Sequence, residues 1–294
     1  MPRVVDLFAG VGGLSRGFQL AGFDVVGAYE KWDRAARVYS SNFDHDVHLF
    51  DLSNVEESIE HVSDYTPDIV VGGPPCQDFS SAGKRRERDN ADLTERFAMI
   101  AVASQPSAIV MENVPRVESS DAYRRARSIF ETHSYNVAEL ILDASLCGVP
   151  QKRKRFFSVA LRDGDAQRVK DNLRSNVDNF PMTVVDYMGD EIDTEFYYRH
   201  PRNYSRRAIY SIFEPSATIR GVNRPIPPSY PGHPLDAAPL EMARPLLTSE
   251  RSRIQTFPSD WHWTGSKTDV ELMIGNAVPA ELARFVANGL KVSL

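Results

Sequence analysis

The chain has 294 residues, 42% of them hydrophobic, enough to bury a core in one large domain or two smaller ones. Its formal charge of −6 argues against a protein that coats nucleic acid by overall basicity, although basic residues gathered on one face would still meet a phosphate backbone. No apolar run approaches the ~18 residues of a membrane helix, the first residues enter a strand-like run without a signal peptide, and two cysteines make no disulfide framework, which points to a reducing, intracellular setting.

In chain order, "RVVDLFA" reads as a buried strand and "GLSRGFQLAG" as a helix ending at Gly22. "DVVGAYE" is a second strand and "WDRAARVYSSNF" a second helix. "VHLF", "DIVVGG", "SAIVMENV" and "FFSVALR" follow as strands, with helices such as "LTERFAMIAVAS" and "DAYRRARSIFETH" between them. Apolar strands alternating with helices predict a parallel sheet covered on both faces. Right-handed crossovers then make a doubly wound, Rossmann-like α/β domain. Beyond about residue 175 the rhythm changes to a segment rich in proline, aromatics and arginine, with "RPIPPSYPGHPL" as its extreme. Proline removes donors and fixes φ, so 176–261 is expected to form a second, smaller domain of irregular or short-stranded structure. Helical periodicity returns in "VELMIGNAVPAELARFVANGL", and 1–175 plus 262–294 are expected to make up the large domain.

"DLFAGVGG" follows the first strand and opens the first helix. Glycines there allow a tight turn and let a ligand approach the backbone and the helix N–H groups. Glu30 ends the second strand, where an acid commonly accepts hydrogen bonds from a ribose, and Asp51 follows the third. The spacing is not that of a dinucleotide site and suits a nucleoside without a pyrophosphate, such as S-adenosylmethionine. The plainer alternative is that Gly10, Gly12 and Gly13 only permit close strand–helix packing.

Cys76 lies just past "DIVVGG", at the sheet edge where open α/β folds bind ligands, and two prolines stiffen its approach. A thiol needs help to become a nucleophilic thiolate. Cys147, in "SLCGVP", reads instead as a small buried hydrophobe. Glu112 and Asn113 end the strand of "VMENV", where a partly buried carboxyl can hold a proton and act as a general acid. In "CGVPQKRKRFFSVAL" an extended backbone puts Gln151, Arg153 and Arg155 on one face and Lys152 and Lys154 on the other.

These stretches together resemble the DNA (cytosine-5)-methyltransferases. The resemblance covers nearly the whole chain: "DLFAGVGGLSRGF", Glu30, "GGPPCQDFS", "MENV", "GVPQKRKR", "RPLLTSERSRIQTFP" and "GNAVP", in the family's order. It implies an S-adenosylmethionine-dependent methyltransferase domain with a smaller target-recognition domain, and transfer of a methyl group from S-adenosyl-L-methionine to C5 of a flipped-out cytosine in double-stranded DNA. Cys76 would add to C6, Glu112 would contact N3 and the exocyclic amine, and Asn113 would support the thiol-bearing loop. Arg155 and Arg153 would bind the target base or order the catalytic loop, with Gln151 as a brace. Phe8, Gly10, Gly13, Glu30, Asp51, Gly73 and Pro75 would contact the cofactor, and Asn276 and Val278 would close that pocket. Protonation at N3 requires Glu112 to carry a proton, so its pKa is expected to be raised. One departure is "YEKWD": the family often has a bulky apolar or aromatic residue directly after the ribose-binding acid. Here Lys31 stands there and Trp32 one place later, so either could cover the adenine.

"SSAGKRRERDN" reads as a mobile loop closing over Cys76, with Ser80, Lys84 and Arg85 toward DNA. From Arg199 to Arg253 nine arginines face four acids, a one-sided basic footprint on an acidic chain. Arg202, Arg206, Arg207, Arg220 and Arg224 are the candidate DNA contacts, able in kind to read guanine O6 and N7. A solvated surface with structural salt bridges is the alternative, and packing is the expected role of Arg251 and Arg253. The resemblance further implies a monomer on duplex DNA in the cytoplasm, in restriction–modification beside a cognate endonuclease or as an orphan mark. Two other functions fit the chain less well. A tRNA cytosine methyltransferase would favour threonine where "PPCQDFS" has its serine after phenylalanine. A non-catalytic DNA-binding regulator would have little reason to keep Cys76, Glu112 and Arg155 together.

Overall fold

The computed structural model describes residues 1–75, 84–201 and 205–293, without the side chains of 84–92. The chain runs β1 (Arg3–Leu7), α1 (Gly13–Leu20), β2 (Asp24–Glu30), α2 (Asp33–Ser40), β3 (Val47–Leu49), α3 (Val55–Ser63), β4 (Ile69–Gly72) and α4 (Lys84–Ala103). It continues through β5 (Ala108–Asn113), α5 (Asp121–Thr132), β6 (Asn136–Asp143), β7 (Gln151–Lys152), β8 (Lys154–Leu161) and α6 (Ala166–Ser175). Then come α7 (Val184–Met188), β9 (Phe196–Tyr198), β10 (Ile209–Ser211), β11 (Ser216–Ala217), β12 (Ala243–Pro245), α8 (Thr248–Ile254), α9 (Lys267–Asn276) and α10 (Ala280–Leu290). No helix among the described residues is long and apolar enough to cross a membrane. Two compact units emerge: Met1–Leu142 with Lys154–Val177 and Ala283–Leu294, and Asp143–Arg153 with Asp178–Leu282. The second unit thus holds 143–153 and 262–282 besides 178–261, where the sequence reading gave it 176–261 alone.

In the first unit seven strands form one sheet in the order β3-β2-β1-β4-β5-β8-β6. Strands β4 and β5 are buried along their whole length, so their unbroken apolar runs reflect cover on both faces. Parallel pairing joins β3 to β2, β2 to β1, β1 to β4 and β4 to β5. The expectation of a parallel sheet fails at one place: β8 runs antiparallel to β5, with Glu112 opposite Phe157 and Asn113 opposite Phe156. Both faces of β8 are buried, and such a strand has the same apolar composition in either direction. Strand β6 was not among the strands predicted, although Ala138, Leu140 and Leu142 alternate inward beside the exposed Ile141, the period-two mark of an edge strand. Helix α5 buries Ala122, Tyr123, Ala126 and Phe130 at helical spacing and starts at Ser120, whose hydroxyl accepts from the Tyr123 N–H at 3.1 Å.

A buried polar chain lies under the glycine turn. Asp6, fully buried in β1, accepts hydrogen bonds from the Ser15 N–H at 3.2 Å and the Ser15 hydroxyl at 2.6 Å through Oδ2, while its Oδ1 has no hydrogen-bond partner among the described residues. The Tyr39 hydroxyl donates to Ser15 Oγ at 2.7 Å and lies 2.7 Å from His45 Nε2. Burial raises the Asp6 carboxyl to about 7, against the pull of the two Ser15 donors. The folded-state value lies above the ordinary 3.8, so folding favours the protonated form. The stability this contributes is complete below about pH 4 and is lost as pH rises through about 7. Urea denaturation from about pH 5 to about pH 8 should therefore show the protein losing more stability across this window than Asp6→Asn; parallel curves for the two would mean that Asp6 does not titrate there.

The second unit has a three-stranded sheet in the order β10-β9-β12 and a two-stranded one of β11 and β7. Its strands are two or three residues long, and its stability falls to small apolar clusters, one around Ile212, Ile219, Leu246 and Ile254, another around Tyr198, Ile209 and Tyr230. The end of α9 packs closely on 220–221: a Cβ at Gly275 would lie 2.1 Å from the Gly221 nitrogen. Arg251 and Glu271, with side chains 6% and 4% exposed, form an ion pair beneath this packing, and the Thr248 hydroxyl donates to Glu271 Oε1 at 2.7 Å. Removing one partner leaves an uncompensated buried charge, so Glu271→Ala should cost about 3–5 kcal/mol by chemical denaturation. A loss below about 1 kcal/mol would be the value of an exposed pair and would contradict the burial.

Candidate functional site

The carboxyl ends of β1, β2, β3, β4 and β5 share one edge of the sheet, because these five strands are parallel neighbours. Loops leaving β1 and β4 part at the point where strand order reverses, which is where open α/β sheets form their crevice. Phe8 follows β1 with φ 61°, a left-handed conformation costly for a bulky residue, and Gly10 and Gly12 take φ 57° and 89° before α1 begins at Gly13. Glu30 clamps this turn from the end of β2. The Gly10 N–H donates to Oε2 at 2.8 Å and the Trp32 N–H to Oε1 at 2.6 Å. Past β3, Asp51 accepts from the Lys31 ammonium at 2.6 Å and the Ser53 N–H at 3.0 Å. Burial pushes Asp51 up, but these donors outweigh it and hold the carboxyl below its ordinary range.

At the ends of β4 and β5 the chain is tied more tightly. A Cβ on Gly73 would lie 3.2 Å from Glu112 Oε2, so the glycine lets the carboxylate approach the backbone. Asn113 Nδ2 donates to the Pro74 carbonyl at 2.9 Å, fastening the segment that continues through the exposed Pro75 to Cys76. Cys76 and Ser80 lie outside the described residues, as do the side chains of Lys84 and Arg85. Arg155 reaches Glu112 from β8: Nε stands 2.9 Å from Oε1, with the two side chains 14% and 10% exposed. This meeting follows from the antiparallel strand, since the start of β8 lies at the edge where β5 ends. Burial pulls the Arg155 guanidinium below its ordinary range, and Glu112 opposes that.

Within the second unit the alternation in "QKRKR" places Gln151 and Arg153 inward, but their bonds are to the main chain and to Gln255. Gln151 Nε2 donates to Gln255 Oε1 at 2.7 Å, and its Oε1 accepts from the Ile219 N–H at 2.8 Å. The Arg153 guanidinium, 2% exposed, donates to the carbonyls of Ile219, Gly275 and Ala277 at 3.0–3.1 Å. The expected share of Arg153 in catalysis gives way to an anchoring one, because its cation is spent on three carbonyls. Gln255 completes the knot by donating to the Ala277 carbonyl at 3.1 Å and also to that of Ile274. No separate role for Gln255 is legible in the sequence, where only its polarity within "RIQTF" marks it. Asn276 is exposed at the end of α9 and Val278 is buried. Cys147 is buried and its thiol pushed up to about 12 by that burial, an inert group as expected.

The basic stretch is less free than its charge suggests. Arg207 pairs with Glu214 and lies 4.3 Å over the Tyr210 ring, Arg244 pairs with Glu250 and Asp193, and Arg253 pairs with Glu191. With Arg251 on Glu271, these are structural cations, as expected for Arg251 and Arg253 and against expectation for Arg207. Arg220 donates to the His200 carbonyl at 2.8 Å. Arg206 and Arg224 are exposed and take no ion pair among the described residues, and Arg202 lies outside them.

Comparison with known proteins gives the chain its relatives. It is 49% identical over 293 residues to the Type II methyltransferase M.HgiDI of Herpetosiphon aurantiacus, covering 99% of this chain and 95% of that protein. It is 49% identical over 291 residues to the Type II methyltransferase M.HindV of Haemophilus influenzae, with 98% and 96% covered. The crystal structure of the S. pombe Dnmt2 methyltransferase has the same fold, with a TM-score of 0.72 at 17% identity over 99% of this chain and 98% of that one. The sequence model of one family, C-5 cytosine-specific DNA methylase, matches residues 2–292, and to that family the chain belongs.

Proposed function

We propose that this DNA cytosine-5 methyltransferase moves a methyl group from S-adenosyl-L-methionine to C5 of a cytosine turned out of a specific double-stranded sequence, through a covalent bond between Cys76 and C6. The observation that carries it is the partly desolvated pair of Arg155 and Glu112, linked through Gly73 and the Asn113–Pro74 hydrogen bond to the segment leading into Cys76.

The glycine turn suits a nucleoside. A Cβ built on Gly10 meets no atom within 4 Å, so there is open space above the backbone, and Glu30 keeps acceptor capacity beside it for ribose hydroxyls. Phe8, Gly13, Asp51, Gly73 and Pro75 would line the same edge, and the likeness to the family adds Asn276 and Val278 as cofactor contacts. Lys31 is committed to Asp51, which leaves Trp32 as the ring for adenine. Bound there, S-adenosyl-L-methionine supplies one electrophilic methyl group. The work of the chain is to make C5 of the base a nucleophile.

Thiolate addition forms the bond from Cys76 Sγ to C6, while N3 gains a proton relayed from solvent water through the Glu112 carboxylate, and the ring becomes an enamine with electron density at C5. Arg155 fixes the orientation of the Glu112 carboxyl through this transfer. Once C5 is methylated, its proton passes to a solvent water acting as base, the C–H pair restores the C5–C6 double bond and expels the thiolate, and N3 gives its proton back through Glu112. The base must leave the stack for any of this, since the thiol has no route to C6 inside a duplex. Ser80, Lys84 and Arg85 would meet DNA beside the site, and Arg202, Arg206, Arg220 and Arg224 would meet it from the second unit, acting as a target-recognition domain. The Type II relatives support a restriction–modification role; in it the chain would act as a monomer, paired in function with an endonuclease of the same specificity.

Incubation with methyl-labelled cofactor and mixed-sequence duplex DNA should place label on cytosine C5, read in sequence context by bisulfite sequencing; no transfer to any duplex would overturn the proposal. Cys76→Ser should abolish turnover while cofactor affinity stays within about twofold, since the sulfur adds to the base and not to the cofactor. Arg155→Ala should lower kcat about 10²- to 10³-fold with Arg155→Lys recovering part of it, the scale for losing one preorganised electrostatic partner. Equal loss in cofactor binding and kcat would mean that Arg155 merely holds the fold.

A further inference from the structure

The second unit contains a cavity of about 290 Å³ whose walls come from the end of β9, from 216–224 and from Leu246 and Arg251. Arg199, Arg220, Arg224, Arg251 and His200 line it, and among the described residues no carboxylate does. These cations differ in what they can still do. Glu271 neutralises Arg251. The Arg199 guanidinium is held on the Thr218 carbonyl by Nε at 3.1 Å and Nη2 at 2.9 Å, and Arg220 is held on the His200 carbonyl. Both therefore form a fixed positive wall. Arg224 alone of these stands exposed at the cavity with neither a hydrogen bond nor an ion pair among the described residues. The remaining walls include Ile219, Val222 and Leu246, which are apolar.

A ligand for this cavity has to present acceptors to a guanidinium while tolerating apolar contact. A phosphate meets the first condition but loses its water against the second, whereas the edge of a base meets both. Among bases, guanine offers two acceptors side by side in the major groove, O6 and N7, which match the two parallel N–H groups of an arginine. Adenine and cytosine would turn an amino group toward the cation, and thymine has a single acceptor there. We infer that this cavity reads a guanine of the recognition sequence, with Arg224 donating to O6 and N7 against the positive wall of Arg199 and Arg220. The inference rests on the DNA-methylating reading above and makes Arg224 a specificity-determining residue. It also separates Arg224 from Arg207, which carries the same charge but is committed to Glu214.

The test uses the full chain and duplexes bearing the sequence that bisulfite mapping identifies. Each guanine is replaced in turn by 7-deazaguanine, which lacks the N7 acceptor but keeps the Watson–Crick edge. One position should lower kcat/KM about 10- to 100-fold, the scale of one bidentate base contact. With Arg224→Ala that substitution should no longer matter, and methylation of duplexes carrying another base at that position should rise. Uniform weakening on every sequence with a shallower salt dependence would identify a phosphate contact and overturn the assignment. So would an Arg224→Ala protein indistinguishable from the parent. Failure of the unaltered protein to methylate any duplex would instead sink the broader reading, and this one with it.

Discussion

The contact between Arg155 and Glu112 depends on the direction of one strand. Strand β8 runs against β5, so its first residues stand beside the last residues of β5, and a cation enters an edge otherwise built from strand ends and glycine turns. Had β8 been parallel, Arg155 would lie at the opposite edge. Both groups are largely shielded from water, where their attraction is stronger than at a surface and where neither is comfortable without the other. The carboxylate is thereby held against Gly73, which has no Cβ to displace it, and Asn113 on the same strand fixes the Pro74 carbonyl. One reversed strand thus sets the position of Glu112 and of the segment leading to Cys76.

Irregular backbone elsewhere is stabilised by a common physical solution: a buried or half-buried polar side chain takes up main-chain groups that no helix or strand would satisfy. Glu30 accepts two N–H groups around the glycine turn. In the second unit Arg153 donates to three carbonyls, while Gln151 and Gln255 bond to each other and to 219, 274 and 277. Short strands give this unit few ladder hydrogen bonds, so side-chain donors carry a larger share of the order. Arg153 and Arg155, two residues apart, consequently have different duties, one to backbone oxygens and one to a carboxylate.

Charge is partitioned in the same way. The chain is acidic overall, and the arginine-rich stretch from 199 to 253 spends Arg207, Arg244, Arg251 and Arg253 on carboxylates of the second unit. What remains for DNA is a smaller and more local set than residue counts suggest. Arg199, Arg220 and Arg224 meet at one cavity whose described walls carry no carboxylate, a setting that suits recognition of particular groups more than general attraction to phosphate.

By itself the sequence determined the α/β alternation, the glycine turn with Glu30 behind it, the placing of Glu112 and Asn113 at a strand end, and the inward face of Gln151, Arg153 and Arg155. Each is a local matter of period, turn chemistry or order along the chain, which nearest neighbours largely decide. Only the tertiary structure decided the direction of β8, because an apolar strand buried on both faces reads the same either way, and with it the partner of Arg155. It alone decided which arginines are free, since Arg207 and Glu214, Arg251 and Glu271, and Arg253 and Glu191 become neighbours through folding rather than through a pattern of charge along the chain. Asp6 shows the same limit: a carboxylate within an apolar strand is visible in the sequence, but its burial against Ser15 and its raised pKa arise from the packing of α1 on the sheet.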